Sequence, residues 1–270
     1  MSAAMRRLRP YRLIAGLAAM FGVLMFWPLV NGINPSAIDL YSLMQPPQGA
    51  NWLGTDELGR DVLTRLGLGM RLSVFVGLAV VCVCATVGTA IGMVSGYMGG
   101  WVDNLLMRLT DVFLSFPGIL MAIAFAALAG PGVGNVVLAL CLMGWVGFAR
   151  LARAQSLSLR EADFVRAAEL SGIGFWRILA VYILPNIAAP LIVECSFSMA
   201  GAMLAEAGLS FLGIGVQPPS PSLGAMLREG ARYMLVAPHM VMAPGFALMG
   251  LVLMMNALGD KLRDRMDVRA

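Results

Sequence analysis

The chain has 270 residues, 59% of them hydrophobic and 13% charged, with a mean hydropathy of +0.81 and a formal net charge of +4. Soluble domains carry about 25% charged residues, so this composition excludes a water-soluble fold and points to an integral membrane protein. The basic residues sit in short connections between apolar runs, which membrane topology explains without any nucleic-acid partner.

The apolar runs are longer than strands and lack a two-residue period, which predicts spanning helices. Arg6, Arg7, Arg9 and Arg12 precede the first run, Leu13 to Val30. A signal peptide starts in this way, but the run is long and no small-x-small cleavage site follows, so an uncleaved first span is expected. Thr55-Asp56-Glu57 reads as a helix start, with Thr55 as cap and acids in the first turn. Leu58, Val62, Leu63 and Leu66 then make the apolar face of an interfacial helix outside the membrane. The uncharged stretch Leu72 to Val102 holds the second span. Val112 to Ala149 is also uncharged and too long for one span; the Gly- and Pro-rich run Ala129 to Asn135 divides it into the third and fourth. Ile187 to Leu209, with Glu194 and Glu206 inside it, is the fifth, and Pro238 to Leu258 the sixth.

Six spans put both termini on one side. Of the 19 Lys and Arg residues, only Arg60, Arg65, Arg71, Arg228 and Arg232 fall on the other side. Positive residues stay inside, so both termini are expected in the cytoplasm. The expected fold is an all-α polytopic membrane protein. Residues 1–71 form a first span plus an outer amphipathic segment, and 72–270 a five-helix core with a long inner loop at about 150–186.

Several chemistries find no support. Cys82, Cys84, Cys141 and Cys195 all lie in apolar runs and read as small buried hydrophobes. The 21 methionines are scattered through the same runs and read as packing. Gly88, Ala90, Gly92, Gly201 and Ala202 suit close helix packing in lipid. The one lysine, Lys261, lacks the glycine-rich frame of a phosphate-binding loop. The one histidine, His239, follows Pro238 and reads as a local hydrogen-bonding residue. No enzyme active site and no metal site are expected.

The inner loop is the informative stretch. Asp163 to Leu170 reads as a short helix with Asp163 as cap and Phe164, Val165, Ala167, Ala168 and Leu170 as apolar members. Gly172 and Gly174 flank a turn. A second helix, Phe175 to Ile183, follows, and Pro185 is expected to end it. Ala167-Ala168 would stand out as a small-residue knob. Such a loop either rests on the headgroups with its arginines toward phosphate or docks into a partner's groove. Glu161, Asp163 and Glu169 disfavour resting on an anionic leaflet.

The stretch resembles the cytoplasmic EAA loop of binding-protein-dependent ABC importer permeases. Ala167-Ala168, Gly172 and Leu184-Pro185 match the pattern; Arg166 stands where that pattern has Glu, and Tyr182 where it has Ile. "NWLGTDELGRDVLTRL" (51–66), "AEAGLSFLGIGVQPPSPSLGAML" (205–227) and "NALGDKLRDRMD" (256–267) are similar to the dipeptide, oligopeptide and nickel branch, second permease subunit. The resemblance implies a type I, MetI-like permease fold in a bacterial inner membrane. It implies a homologous permease partner, two cytoplasmic ATPase subunits that carry ATP and Mg, and a substrate-binding protein. The coupling residues would be Asp163, Phe164, Val165, Arg166, Ala167, Ala168, Glu169, Leu170, Gly172, Arg177, Leu184 and Pro185, with Arg150, Arg153 and Arg160 at the neck. Peptides are the expected cargo and chelated nickel the alternative.

Glu194 and Glu206 are the acids inside predicted spans, and an unpaired carboxylate at the bilayer centre costs about 2.5–3.5 kcal/mol. Each is a pathway or gate candidate; the alternative for Glu206 is an internal hydrogen-bond partner holding the helix end, and for Glu194, nearer the cytoplasm, a snorkelling or subunit-interface role. A proton-coupled secondary transporter using them is the rival class.

Overall fold

The computed structural model describes residues 16, 19–30, 32, 34–49 and 51–267. Among these residues the elements are helices joined by turns, with no strand. In chain order they are α1 (Ala19–Val30), α2 (Val62–Met98), α3 (Gly100–Leu114), α4 (Gly118–Ala129) and α5 (Val133–Arg160). Then come α6 (Asp163–Leu170), α7 (Phe175–Arg177), a π-helical stretch (Ile178–Ile183), α8 (Leu184–Phe211), α9 (Leu223–Ala231) and α10 (His239–Asp267).

Four segments are long and apolar enough to cross a membrane: α2, α5, the continuous run Phe175–Phe211, and α10. The pair α3 and α4, bent by 79°, makes a fifth if it is one span. The chain is a multi-pass membrane protein. The first expected span survives as α1, a shorter apolar helix. Most of Leu13 to Ala18, and Arg6, Arg7, Arg9 and Arg12 before it, lie outside the described residues.

The helix expected at Thr55 starts at Val62. Asp61 Oδ2 accepts from the Thr64 N–H at 2.8 Å and from its hydroxyl at 2.6 Å, which is cap chemistry. Thr55 and Asp56 serve a turn instead. The Thr55 hydroxyl donates to the Ser42 carbonyl at 2.5 Å, and the Asp56 carboxylate accepts the Leu58 and Arg60 amides, both at 2.9 Å. There is no separate interfacial helix here, because Val62, Leu63 and Leu66 are buried in the first turns of α2 itself. At its other end α2 stops at Gly99, whose φ of +64° an L side chain rarely adopts. The predicted break at residues 129–135 is present. The Asn135 side-chain amide donates to the Ala129 and Gly130 carbonyls at 2.8 and 3.0 Å, satisfying groups that a helix end leaves open.

The chain forms two compact units. One comprises Met1–Gly77, Ala126–Val136 and Ala200–Leu258; the other comprises Leu78–Phe125, Val137–Met199 and Gly259–Ala270. In the first, Ser222 caps α9 by accepting the Ala225 amide at 3.1 Å, and Gly224 lets α9 sit on the Ala207 carbonyl of α8. A His239 ring nitrogen lies 3.1 Å from the Thr55 carbonyl, so its hydrogen-bonding role is met by a residue distant in sequence rather than a local one.

In the second, Gly88, Gly92 and Gly96 line one stripe of α2 against α5. A Cβ on Gly88 would strike the Trp145 carbonyl, one on Gly92 the Ala149 carbonyl, and one on Gly96 would come 2.6 Å from the Arg153 carbonyl. Backbones this close are the packing that small residues allow in lipid. Of the other small residues singled out, Ala90 is exposed, and Gly201 has nothing within 4 Å of its Cβ position.

Candidate functional site

The turn Glu161-Ala162 separates α5 from α6. Ala162, with φ −71° and ψ 143°, occupies the cap position, and no side chain caps the helix. Asp163, expected as cap, lies in the first turn, where its charge still opposes the positive helix end. The far end closes by a Schellman turn: Ile173 N–H donates to the Ala168 carbonyl at 3.1 Å and Gly172 N–H to Glu169 at 2.9 Å. Gly172 supplies the required positive φ, +74°. Gly174 has φ −68° and caps α7 instead.

Val165 and Ala168 are buried, on the face of α6 that packs against the π stretch. Phe164, Ala167 and Leu170, spaced three apart, point outward, as neighbours on one helix face do. Leu170 is 91% exposed and Trp176, across the turn, 73%. The expected Ala167-Ala168 knob is therefore split, with Ala167 outside and Ala168 beneath. Asp163, Arg166, Glu169 and Gly172 are exposed around this apolar face.

Arg166 donates to Glu161, and Arg160 Nε does so at 3.2 Å. These bonds, from Arg166 first, hold the Glu161 carboxyl below its usual range. Both partners are solvent-exposed, so the pair shapes the surface more than it stabilises the fold.

Pro185 does not end the second helix. The helix runs unbroken from Phe175 to Phe211. The missing proline N–H and its ring are accommodated by the π stretch just before it, where the Leu184 N–H reaches back to the Leu179 carbonyl. Arg177 is exposed on α7, while Leu184 and Pro185 lie past the π stretch, away from the turn that joins α6 to α7.

Sequence reasoning missed the supports of this loop. The Tyr97 hydroxyl, in the last turn of α2, donates to the Glu169 carboxylate, and the Tyr97 ring lies 5.5 Å from that of Phe175. Arg153 grips Asp103 with Nε and Nη2 at 2.5 and 2.6 Å, and the Ser95 hydroxyl donates to the same carboxylate at 2.5 Å. Arg150 meets Asp111 at 2.6 Å. Of the expected neck arginines, Arg150 and Arg153 are thus committed to acids of α3, while Arg160 pairs with Glu161. The available signal was Asp103 and Asp111 bounding an apolar helix opposite Arg150 and Arg153.

Glu206 is 0% exposed. It accepts the Ser73 hydroxyl at 2.9 Å and the Ser210 hydroxyl at 2.8 Å. Glu194 is half-buried and accepts the Ser198 hydroxyl at 3.2 Å.

A further cluster was not anticipated. Arg60 Nε lies 2.6 Å from Asp56 and its Nη2 3.5 Å from Glu229; Arg65 lies 3.3 Å from Asp56 and 3.1 Å from Glu229. Glu57 approaches Arg60 at 3.6 Å, and burial, with Glu229 and Asp56 nearby, pushes its carboxyl up.

A short exposed helix between two long apolar ones, in a chain with four or five segments able to cross a membrane, is the architecture of a polytopic membrane protein. Residues 88–268 match the family described as binding-protein-dependent transport system inner membrane component, and the chain belongs to that family. Over 91% of its length it is 40% identical to the dipeptide transport system permease protein DppC of Alkalihalophilus pseudofirmus, covering 81% of that protein. It is 42% identical to the glutathione transport system permease protein GsiD of Pectobacterium atrosepticum, over 85% of this chain and 76% of that one. It is 37% identical to the probable D,D-dipeptide transport system permease protein DdpC of Escherichia coli, over 94% and 85%. The fold is similar to a chain of the MetNI methionine ABC transporter in an inward-facing conformation. The TM-score is 0.59 at 14% identity, over 73% of this chain and 94% of that one.

Proposed function

We propose that the chain is a non-catalytic permease subunit of an ATP-driven bacterial inner-membrane importer, with di- and oligopeptides as cargo. It pairs with a homologous permease, and each permease docks one cytoplasmic ATPase that binds ATP and Mg. A substrate-binding protein delivers the cargo from the other side. Both termini and α6 face the cytoplasm, in keeping with the distribution of Lys and Arg. Peptide as cargo is supported by relatives named for dipeptide and glutathione transport.

The single observation that carries the docking role is the outward face of α6. Phe164, Ala167 and Leu170, with Trp176 across a tight turn, form an apolar helix face of the kind that enters a partner's groove. Gly172→Asp tests it. The Cβ position at Gly172 is open, and Asp tolerates positive φ better than most residues, so the chain should still insert and fold. In a pull-down from mild detergent the wild type should bring down an ATPase and a second permease. The variant should keep the permease and lose the ATPase. ATPase retained at wild-type level would refute the docking role.

Glu206 is read as a structural group, supported by its full burial and two hydroxyl donors. Glu206→Gln keeps an acceptor and should leave uptake within about twofold of wild type. Glu206→Leu strands two buried hydroxyls, each costing about 1–3 kcal/mol, and should lower the melting temperature in detergent. A proton-carrying Glu206 would lose transport with Gln.

A further inference from the structure

We propose that Tyr97 is the positioning residue that joins the docking loop to α2, so that displacement of α6 is delivered to the end of that helix. This rests on the docking role of α6. The flanking helices, α5 and the run from Phe175, are joined to the loop by the chain itself. No such connection exists for α2, which ends at Met98 and turns away at Gly99.

Tyr97 supplies it by gripping both sides of the turn. Its hydroxyl donates to Glu169, one residue before the last of α6, and its ring packs at 5.5 Å on Phe175, the first residue of α7. Trp176 extends the aromatic contact, with its ring 4.9 Å from that of Phe175 and edge-on to it. Between Glu169 and Phe175 lie the exposed Leu170 and Gly172. Tyr97 thus contacts the chain on both sides of that exposed turn.

The end of α2 is also prepared to carry the load. Two residues before Tyr97, Ser95 donates to Asp103, which holds Arg153 of α5. Gly96 abuts the Arg153 carbonyl, and a Cβ on Gly99 would lie 2.6 Å from Arg160 Nη1. The last turn of α2 is thus fixed to α3 and α5 by charge and close packing, while Tyr97 reaches α6 through its hydroxyl and α7 through its ring. The hydroxyl is a contact that a single substitution removes while keeping the ring.

The test is hydrogen exchange on the complete permease–ATPase assembly, nucleotide-free and trapped with ATP and vanadate. In the wild type, nucleotide should change exchange both in α6 and in residues 95–98. Tyr97→Phe keeps the ring and removes the hydroxyl that donates to Glu169. In this variant the change in α6 should persist while the change in residues 95–98 falls by about threefold or more, the scale of losing one partly exposed hydrogen bond to a charge. Tyr97→Ala should abolish it. An undiminished response of residues 95–98 in Tyr97→Phe overturns the inference, as does a wild type in which only α6 responds. A wild type in which α6 itself does not respond overturns the docking role as well.

Discussion

Arg65→Met should destabilise the protein by about 3–5 kcal/mol, the cost of removing one partner from a buried ion pair. Arg65 is 3% exposed and sits between Asp56 and Glu229. Met fills much of the same volume, so the loss is electrostatic more than steric. Without Arg65, Arg60 alone faces Asp56, Glu57 and Glu229. The measurement is the melting temperature in detergent, and its pH dependence separates charge from packing. Glu57 already has its carboxyl raised by burial and by its acidic neighbours. A carboxyl raised in the folded state destabilises the fold fully above its folded pKa, and the penalty declines as pH falls from that value and is gone below the unfolded one. Removing Arg65 takes away a positive charge that interacts with Glu57, so the Glu57 carboxyl rises further. The variant should therefore regain stability relative to wild type as pH falls from 7 toward 5, and Arg65→Met with Glu229→Gln should recover at least half the loss at pH 7. A variant whose deficit does not change with pH would mean that packing dominates.

Gly92→Leu should prevent correct folding, leaving no monodisperse peak on size exclusion. The Gly92 Cβ position collides with the Ala149 carbonyl and lies 2.8 Å from the Ala152 Cβ and 2.9 Å from the Arg153 nitrogen. Backbone cannot rotate aside as a side chain can, so α2 and α5 must separate. Gly92→Ala should cost about 1–3 kcal/mol by overpacking. Gly201→Ala should move stability the other way, by about 0.5–1 kcal/mol, since its Cβ meets nothing within 4 Å and helical alanine outperforms glycine. Both glycines lie in helices, so equal effects at the two sites would contradict the contact assigned to Gly92.

Gly92 and Gly201 look alike in sequence, and that is why composition alone could not separate them. What periodicity and punctuation carry was legible: the apolar helices, the break at 129–135, the bounds of α6 and the positive φ at Gly172. Each follows from local chemistry. The helix start at Thr55 was misplaced because Thr55 and Asp56 have a second use, binding amides within a turn, and only tertiary contacts choose between caps. Pro185 was read as a stop because a π turn, which makes room for it, leaves no local signature. Split burial of Ala167 and Ala168 depends on what lies beneath α6. The ties at Tyr97–Glu169, Asp103–Arg153 and Arg65–Glu229 join residues far apart in sequence, where one chain alone offers no guide.

The length of α2 has a consequence of its own. Its 37 residues make a rod of about 55 Å, against a hydrocarbon core of about 30 Å. At about 1.5 Å per residue it exceeds that core by about 25 Å. A helix so much longer than the hydrocarbon has room to carry polar side chains at its ends, Arg65 and Tyr97 among them, where a charged partner costs less than at the bilayer centre.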